Sequence, residues 1–375
     1  MSLAPRPPEP RASPAEARRR RLAGLRAGVP LVGPATVHVD LANRCNTTCV
    51  TCWHHSPLLR PEQRPSPATR RQLLPWATFC RLLDDLQALG GLEELILSGM
   101  GEPLLHPDAY RMIARAQQQG LAVTLITNLL AAALPELLPL AAAGRLKLLV
   151  SVCGVDEASW NLFHRARGPA GFATVLAGLG ELRRVGATVH QVQVIQRENC
   201  DLLGQMVLFG SQTGAAGVSF KLASLAHGTE VLALDPEQRA RLFQQGIPAA
   251  LQLAAQGGLA TDLPAFVTQL GPDPLRCAPI EQVGCHMGYL YARVTVEEKL
   301  LYCCDPAIEV GQLGGERSFA DLWRSAPYQE LRARLRRGEF FPGCARCGKY
   351  KQNLKWSHKL AASVAAGPGT GREEG

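Results

Sequence analysis

Cys45-Asn46-Thr47-Thr48-Cys49-Val50-Thr51-Cys52 sets three cysteines in the spacing C-x3-C-x2-C, directly after the strand-like run Thr36-Val37-His38-Val39-Asp40-Leu41. Three thiolates in one short loop can grip three corners of a cubic four-iron cluster, whereas full ligation needs a fourth. One iron is then left open. A structural zinc loop is the alternative, although such sites usually pair cysteines as C-x2-4-C with a second pair at a distance and close all four positions.

Outward from this loop the chain alternates strand-sized apolar runs, at 37–41, 92–97, 122–127, 147–152, 189–195 and 218–222, with amphipathic stretches at 76–89, 107–119, 134–143, 171–185 and 202–213. That alternation predicts parallel βα units. Six of them suit an α/β fold, a partial (β/α)6 barrel of the TIM type, whose chemistry gathers at the C-terminal strand ends. The cysteine loop leaves the first strand at that end. Ser98-Gly99-Met100-Gly101-Glu102-Pro103, Thr127-Asn128 and Ser151 end the second, third and fourth strands. Glycines in the first of these let backbone approach a ligand closely, and its free carbonyls and amides can hold an ammonium or carboxylate group. The plain alternative is a tight turn in which glycine serves sterics alone. Asn128 could equally cap a turn, and Arg167 could sit on a solvated helix end, although an arginine fork suits a carboxylate.

Composition agrees with such an enzyme. A chain of 375 residues, 46% hydrophobic, has room for one large domain and a smaller one. Twelve cysteines without a secretory leader fit a reducing compartment, where thiols are kept for metal, so a cytoplasmic location is expected. The uncharged stretch 121–134 falls short of a membrane span and runs into Pro135, Glu136 and Pro139. Of the formal charge of +8, residues 1–35 hold +5, as seven arginines against two glutamates. This reads as a solvated, flexible basic leader with a short helix around 15–27; it lacks aromatic residues for stacking on bases, which disfavours nucleic acid. Cys80, Cys153 and Cys200 read as small buried residues, and Cys277 as a loop thiol. The tail, 351–375, reads as flexible.

A second constellation occupies the C-terminal third. Cys285, the pair Cys303-Cys304, and Cys344-Ala345-Arg346-Cys347 supply enough thiolates to close a further four-ligand site. Between the first two, residues 288–300 read as a β-hairpin with a polar turn at 297–299, which brings cysteines at its ends side by side. Residues 319–335 then return the chain, with helical spacing, to the final pair. Zinc and an iron-sulfur cluster fit this spacing equally on physical grounds.

The cysteine loop resembles that of the radical S-adenosylmethionine (radical SAM) superfamily. The resemblance implies that the open iron of a 4Fe-4S cluster is chelated by SAM, that an electron cleaves SAM to a 5'-deoxyadenosyl radical, and that this radical abstracts a substrate hydrogen. The family usually has an aromatic residue just before the third cysteine, where this chain has Thr51, with Trp53 following. Gly99, Met100, Gly101 and Glu102 are similar to the family's Gly-Gly-Glu-Pro motif, which implies contact with the amino group of SAM. Asn128, Ser151 and Arg167 match family positions that face SAM. The order of Cys285, hairpin, Cys303-Cys304-Asp305, Gly311-Gln312-Leu313-Gly314, 318–323, basic helix and C-x2-C is similar to the twitch domain, a shortened SPASM domain. That implies one auxiliary 4Fe-4S cluster held by Cys285, Cys303, Cys344 and Cys347, with Cys303 preferred to Cys304 by counting back from the turn. The domains expected are therefore a leader at 1–35, a radical SAM barrel at 36–270, an auxiliary domain at 271–350 and the tail.

By the same resemblance the expected reaction is net oxidation of a small molecule, of aminocyclitol or sugar type, with the auxiliary cluster accepting an electron and flavodoxin or ferredoxin as donor. The alternatives are maturation of a ribosomal peptide and, given that Gly-Met-Gly-Glu-Pro occurs in RNA-methylating members, RNA modification. His227, Asp235 and Asp262 lie in a stretch with no assigned chemistry, where surface or capping roles are expected.

Overall fold

The computed structural model describes residues 13–166, 171–271, 278–305, 307–315 and 317–365. Its frame is one ten-stranded sheet in the order β10-β9-β8-β1-β2-β3-β4-β5-β6-β7, with two open edges. The barrel strands are β1 (Thr36–Asp40), β2 (Glu94–Ser98), β3 (Val123–Thr127), β4 (Leu146–Ser151), β5 (Thr188–Ile195) and β6 (Gly217–Leu222), all paired in parallel, with a short β7 (Ala260–Thr261) beyond them. The unclosed sheet with helices on its outer face is the partial barrel expected from the βα alternation.

The helices follow from amphipathic spacing. After α1 (Pro14–Ala27), α2 (Trp76–Leu89) buries Phe79, Leu82, Leu83 and Leu86 on one face. Burying each such side chain is worth about 1.5–3 kcal/mol, which is what fixes the helix against the sheet. Next come α3 (Ala109–Gln118), α4 (Leu134–Ala142), α5 (Glu157–His164), α6 (Phe172–Arg184), α7 (Leu203–Gln212), α8 (Pro236–Arg241) and α9 (Ile247–Gln256), the last two joined through π-helical Leu242–Gly246. Short turns α10 (Leu263–Phe266), α11 (Ile280–Val283) and α12 (Met287–Leu290) lead into the C-terminal part. Among the described residues no helix is long and apolar enough to cross a membrane.

The C-terminal hairpin extends the barrel sheet. Strand β8 (Tyr291–Val294) lies parallel to β1, with His38 opposite Arg293, and β9 (Lys299–Leu301) and β10 (Glu309–Gln312) follow antiparallel. The basic stretch after it forms two helices, α13 (Phe319–Arg324) and α14 (Ala326–Arg336), broken at Ser325, whose hydroxyl caps α14. Arg332 is buried: its guanidinium donates to the carbonyls of Gly288 and Trp323 and stacks 4.0 Å from the Tyr328 ring centre. A buried cation thus pins the turn after Cys285 to the helix pair.

Within the two segments read as flexible, residues 14–27 form the short helix expected there and residues 350–365 form a helix where none is expected, while 1–12 and 366–375 lie outside the described residues. In the leader, α1 packs on the fold because Arg21 is 1% exposed and pairs with Glu93 at 2.6 Å, while Arg336 donates to the carbonyls of Leu25 and Arg26. In the tail, α15 (Tyr350–Ala365) is helical, and Asn353 on it is fully buried. Arg21 and Arg336 find carbonyl and carboxylate partners, and Asn353 a backbone amide and a thiol, that composition alone does not reveal.

Candidate metal centres

The cysteine loop is built at the C-terminal end of β1 and clamped from three sides. Gly101 N donates to the Ala42 carbonyl (3.0 Å) and Glu102 N to that of Arg44 (2.9 Å), so the Gly-Met-Gly turn lies on the entry to the loop. A Cβ on Gly101 would stand 2.0 Å from the Arg44 oxygen, and one on Gly99 2.3 Å from that of Ala42, so both glycines are required for this contact. From the other side, Thr48 N donates to the His164 carbonyl (3.1 Å) and Val50 N to that of Phe163 (2.9 Å). Helix α5, which supplies these carbonyls, is not among the amphipathic stretches given a range in the sequence reading.

Within the loop the Thr47 hydroxyl sits between two thiols, 3.3 Å from Cys45 Sγ and 3.4 Å from Cys49 Sγ. The amides of His54 and His55 point at Cys52 Sγ at 3.4 and 3.3 Å. Burial pushes all three thiols above their ordinary value. Amides aimed at sulfur are what a thiolate accepts, and a thiolate buried here calls for the positive charge of a metal centre. The residues therefore fit an iron-sulfur group. Among the described residues, no group of three His, Cys, Asp or Glu side chains is arranged to hold a single metal ion. His164, fully buried and stacked on Trp160, places Nδ1 3.3 Å from Cys49 Sγ while Nε2 donates to the Val152 carbonyl.

Glu102 is 2% exposed and accepts from Thr127 Oγ1 (2.7 Å), Leu104 N (3.1 Å) and Asn128 N (2.8 Å). Burial nevertheless raises its carboxyl to about 7. Its oxygens are engaged by the protein, so it staples the β2 and β3 loops together. Asn128 donates to Asn46 Oδ1 at 2.8 Å and so reaches the cysteine loop directly. The Ser151 hydroxyl lies 3.5 Å from Cys153 Sγ, at a residue that takes the left-handed φ of 52°. Arg167 and Cys277 lie outside the described residues.

The second thiol group gathers across the hairpin. Glu298, in the polar turn expected at 297–299, takes a left-handed φ of 62°. The thiol that meets the other three is that of Cys304: its charge acts on Cys285, Cys344 and Cys347, and its sulfur lies against Gly348. Cys303 pairs with Cys304 and Cys285 in the core beside Tyr302 and Tyr328. These neighbours favour Cys304 as the fourth ligand, where the count from the turn prefers Cys303. A hydrogen bond from Cys303, then Lys349, Lys221 and Arg293, push the Cys304 thiol below its ordinary value despite burial. Asn353 on α15 links the group, accepting from His286 N (2.7 Å) and lying 3.9 Å from Cys347 Sγ.

One ion pair joins the two centres. Arg293 Nη2 lies 2.8 Å from Asp40, at the foot of the cysteine loop, and Nη1 donates to the Cys304 carbonyl (3.2 Å). Nη2 also reaches Met100 Sδ at 3.2 Å. Sequence reasoning missed this pair, although charged residues in otherwise apolar strands were the available signal.

Residues 39–199 match the family model of the radical SAM superfamily, and residues 285–348 that of an iron-sulfur cluster-binding domain, SPASM. The chain is 27% identical over 214 residues to an AdoMet-dependent heme synthase of Methanosarcina barkeri, covering 56% of this chain and 57% of that protein. It is 28% identical over 222 residues to a PqqA peptide cyclase of Xanthomonas campestris, covering 59% and 53%. The match thus spans little more than half the length of these relatives. In fold it is similar to Streptococcus suis SuiB bound to S-adenosylmethionine, with a TM-score of 0.64 at 17% identity over 90% of this chain and 75% of that one. The chain belongs to the radical SAM superfamily and carries a C-terminal SPASM-type iron-sulfur cluster-binding domain, with SAM, a SAM-binding 4Fe-4S cluster and an auxiliary iron-sulfur cluster as the cofactors these domains imply.

Proposed function

We propose that this enzyme carries out a radical modification of a peptide. In this reading Cys45, Cys49 and Cys52 hold the SAM-binding cluster, and Cys285, Cys304, Cys344 and Cys347 hold the auxiliary one. The observation that carries it is the placement of both thiol groups at one barrel, bridged by Arg293. When bound, the first cluster supplies the electron that splits SAM into methionine and a 5'-deoxyadenosyl radical, and the auxiliary cluster offers an electron acceptor. The chain's own residues orient and shelter. Thr47 and the His54 and His55 amides set the sulfurs, Gly99 and Gly101 keep two loops in contact, and Glu102 with Asn128 fixes the third. Flavodoxin or ferredoxin is the proposed donor.

A peptide substrate is favoured over the aminocyclitol or sugar first expected. The relatives that support it are the PqqA peptide cyclase and SuiB, which has been seen bound to its precursor peptide SuiA. The test is anaerobic incubation of the reconstituted enzyme with SAM, reductant and deuterated candidate peptides encoded beside its gene. Deuterium in 5'-deoxyadenosine and a peptide lighter by two hydrogens are expected. Transfer from a deuterated aminocyclitol and from no peptide would contradict the reading.

A further inference from the structure

Pleating sorts each strand into a helix-facing side and a side toward the barrel lumen. On β6, Val218, Phe220 and Leu222 are buried under the helices, which leaves Ser219 and Lys221 toward the lumen. On β1, Val37 and Val39 join the core, so His38 and Asp40 face inward beside Tyr291 and Arg293 of β8. The gap between β6 and β8 is covered by the segment that carries the last two thiols. Ser224 Oγ donates to the Arg346 carbonyl at 3.3 Å, and Lys351 Nζ bonds the Phe220 carbonyl (3.0 Å) and Asp262 (2.6 Å).

This closure carries Lys349 inward. Its ammonium lies 4.2 Å from the centre of the Tyr291 ring, and the charges of Lys221, Arg293, Glu94 and Cys304 act on it. Lys221 Nζ lies within 3.7 Å of where a Cβ on Gly348 would stand, so both ammonium groups sit beside the same turn. Apart from the Cys304 thiol, which both lysines influence, the nearby carboxylates have other partners. Arg293 occupies Asp40 in a buried pair, and Glu94 is engaged by the Thr124 hydroxyl. Among the described residues neither Lys221 nor Lys349 forms an ion pair, whereas the neighbouring Lys351 has Asp262. The Tyr291 hydroxyl is fully buried and has no hydrogen-bond partner. Lys221 is exposed and Lys349 half-buried, so an anion in the lumen can meet both ammonium groups, and the unpartnered Tyr291 hydroxyl on the ring that Lys349 faces adds a third point of recognition.

We propose that Lys221, Lys349 and the Tyr291 hydroxyl form a receptor for a carboxylate, so that the substrate drawn into the lumen presents an acidic group there. Resting on the peptide reading above, this group is an aspartate or glutamate side chain or the chain terminus. A carboxylate with two oxygens can accept from both ammonium groups at once, which would set the depth and orientation of the residue to be modified. The competing use of the two lysines is charge balance for the nearby thiolates.

The probe is radiolabelled glutarate, measured by equilibrium dialysis against the reconstituted holoenzyme. Saturable binding to one site is expected in the wild type, competed by unlabelled glutarate and not by glutaramide. Lys221→Met and Lys349→Met each weaken it at least tenfold, and Tyr291→Phe weakens it several-fold. Lys221→Met guards against loss of the adjoining thiol site in Lys349→Met, since Lys221 lies on a barrel strand. No saturable binding in iron-replete wild type, or wild-type affinity in Lys221→Met, overturns the proposal. Wild-type affinity together with a lowered potential of the auxiliary cluster assigns the lysines to the thiolates and overturns it equally. Failure of the cluster assignment shows separately, as missing iron, and glutarate binding by that iron-free full chain then decides the carboxylate claim alone.

Discussion

Cys45, Cys49 and Cys52 lie within eight residues on a single loop, whereas Cys285, Cys304, Cys344 and Cys347 are drawn from a stretch of 63 residues. The first group is held by its own backbone: amides and carbonyls of residues 42–50 bond the β2 loop and α5, and each thiol already faces a donor within the loop or beside it. The second exists only when the hairpin, the helix pair and α15 have assembled. The difference teaches that the first thiol group is a local structure fixed by backbone geometry, while the second is a tertiary one fixed by side chains such as Arg293, Arg332 and Asn353.

Cysteine substitutions probe this contrast most strongly. Cys49→Ala is expected to lower bound iron by about half and to cut 5'-deoxyadenosine formation by roughly a thousandfold or more, since loss of one of three ligands leaves no cluster to chelate SAM. Cys304→Ala is expected to remove the auxiliary signal from electron paramagnetic resonance spectra, and Cys303→Ala to keep it. The reverse outcome would restore the assignment to Cys303.

Arg293 ties the two regions, so its loss tests whether they are one unit. Arg293→Met leaves Asp40 buried and unpaired and is expected to cost about 3–5 kcal/mol in denaturant unfolding. The double variant with Asp40→Leu should recover most of it, and no recovery would mean that the arginine acts through the Cys304 carbonyl or Met100 alone.

Glu102 gives the local region a pH signature. Its folded value of about 7 lies above that of an unfolded glutamate near 4.3, so the folded apo chain binds the extra proton over the interval between them. The stability this confers is present at pH 4 and is lost as pH rises to 7, by on the order of 3 kcal/mol. Glu102→Gln should abolish that slope while costing about 1–3 kcal/mol, because its amide cannot accept from both the Asn128 and Leu104 amides. Unfolding curves at pH 5 and 7.5 read both effects.

The smallest expected change falls in the tertiary region. Asn353→Ala leaves the His286 amide unsatisfied at a cost of about 1–3 kcal/mol, with faster loss of auxiliary iron to a chelator and no change at the first cluster. Equal iron loss from both centres would show that the two regions are not separable in this way.

The same contrast explains what could be read from sequence. Strand alternation and the helix at 76–89 followed directly from apolar period, and the C-x3-C-x2-C loop from spacing, because each is a local pattern. The attachment of β8 to β1, the buried roles of Arg21 and Arg332, and the helix at 350–365 depend on partners distant in sequence, so charged side chains there read as solvated. The choice between Cys303 and Cys304 is also beyond the sequence, because a turn count fixes backbone register and says nothing of which adjacent thiol turns toward Cys347.

The most direct test of the central claim is reductive cleavage of SAM by the anaerobically reconstituted enzyme. The account predicts 5'-deoxyadenosine and methionine in equal amounts, formed by the wild type and not by Cys45→Ala, Cys49→Ala or Cys52→Ala. Intact SAM in the presence of strong reductant and a full complement of iron and sulfide would contradict it.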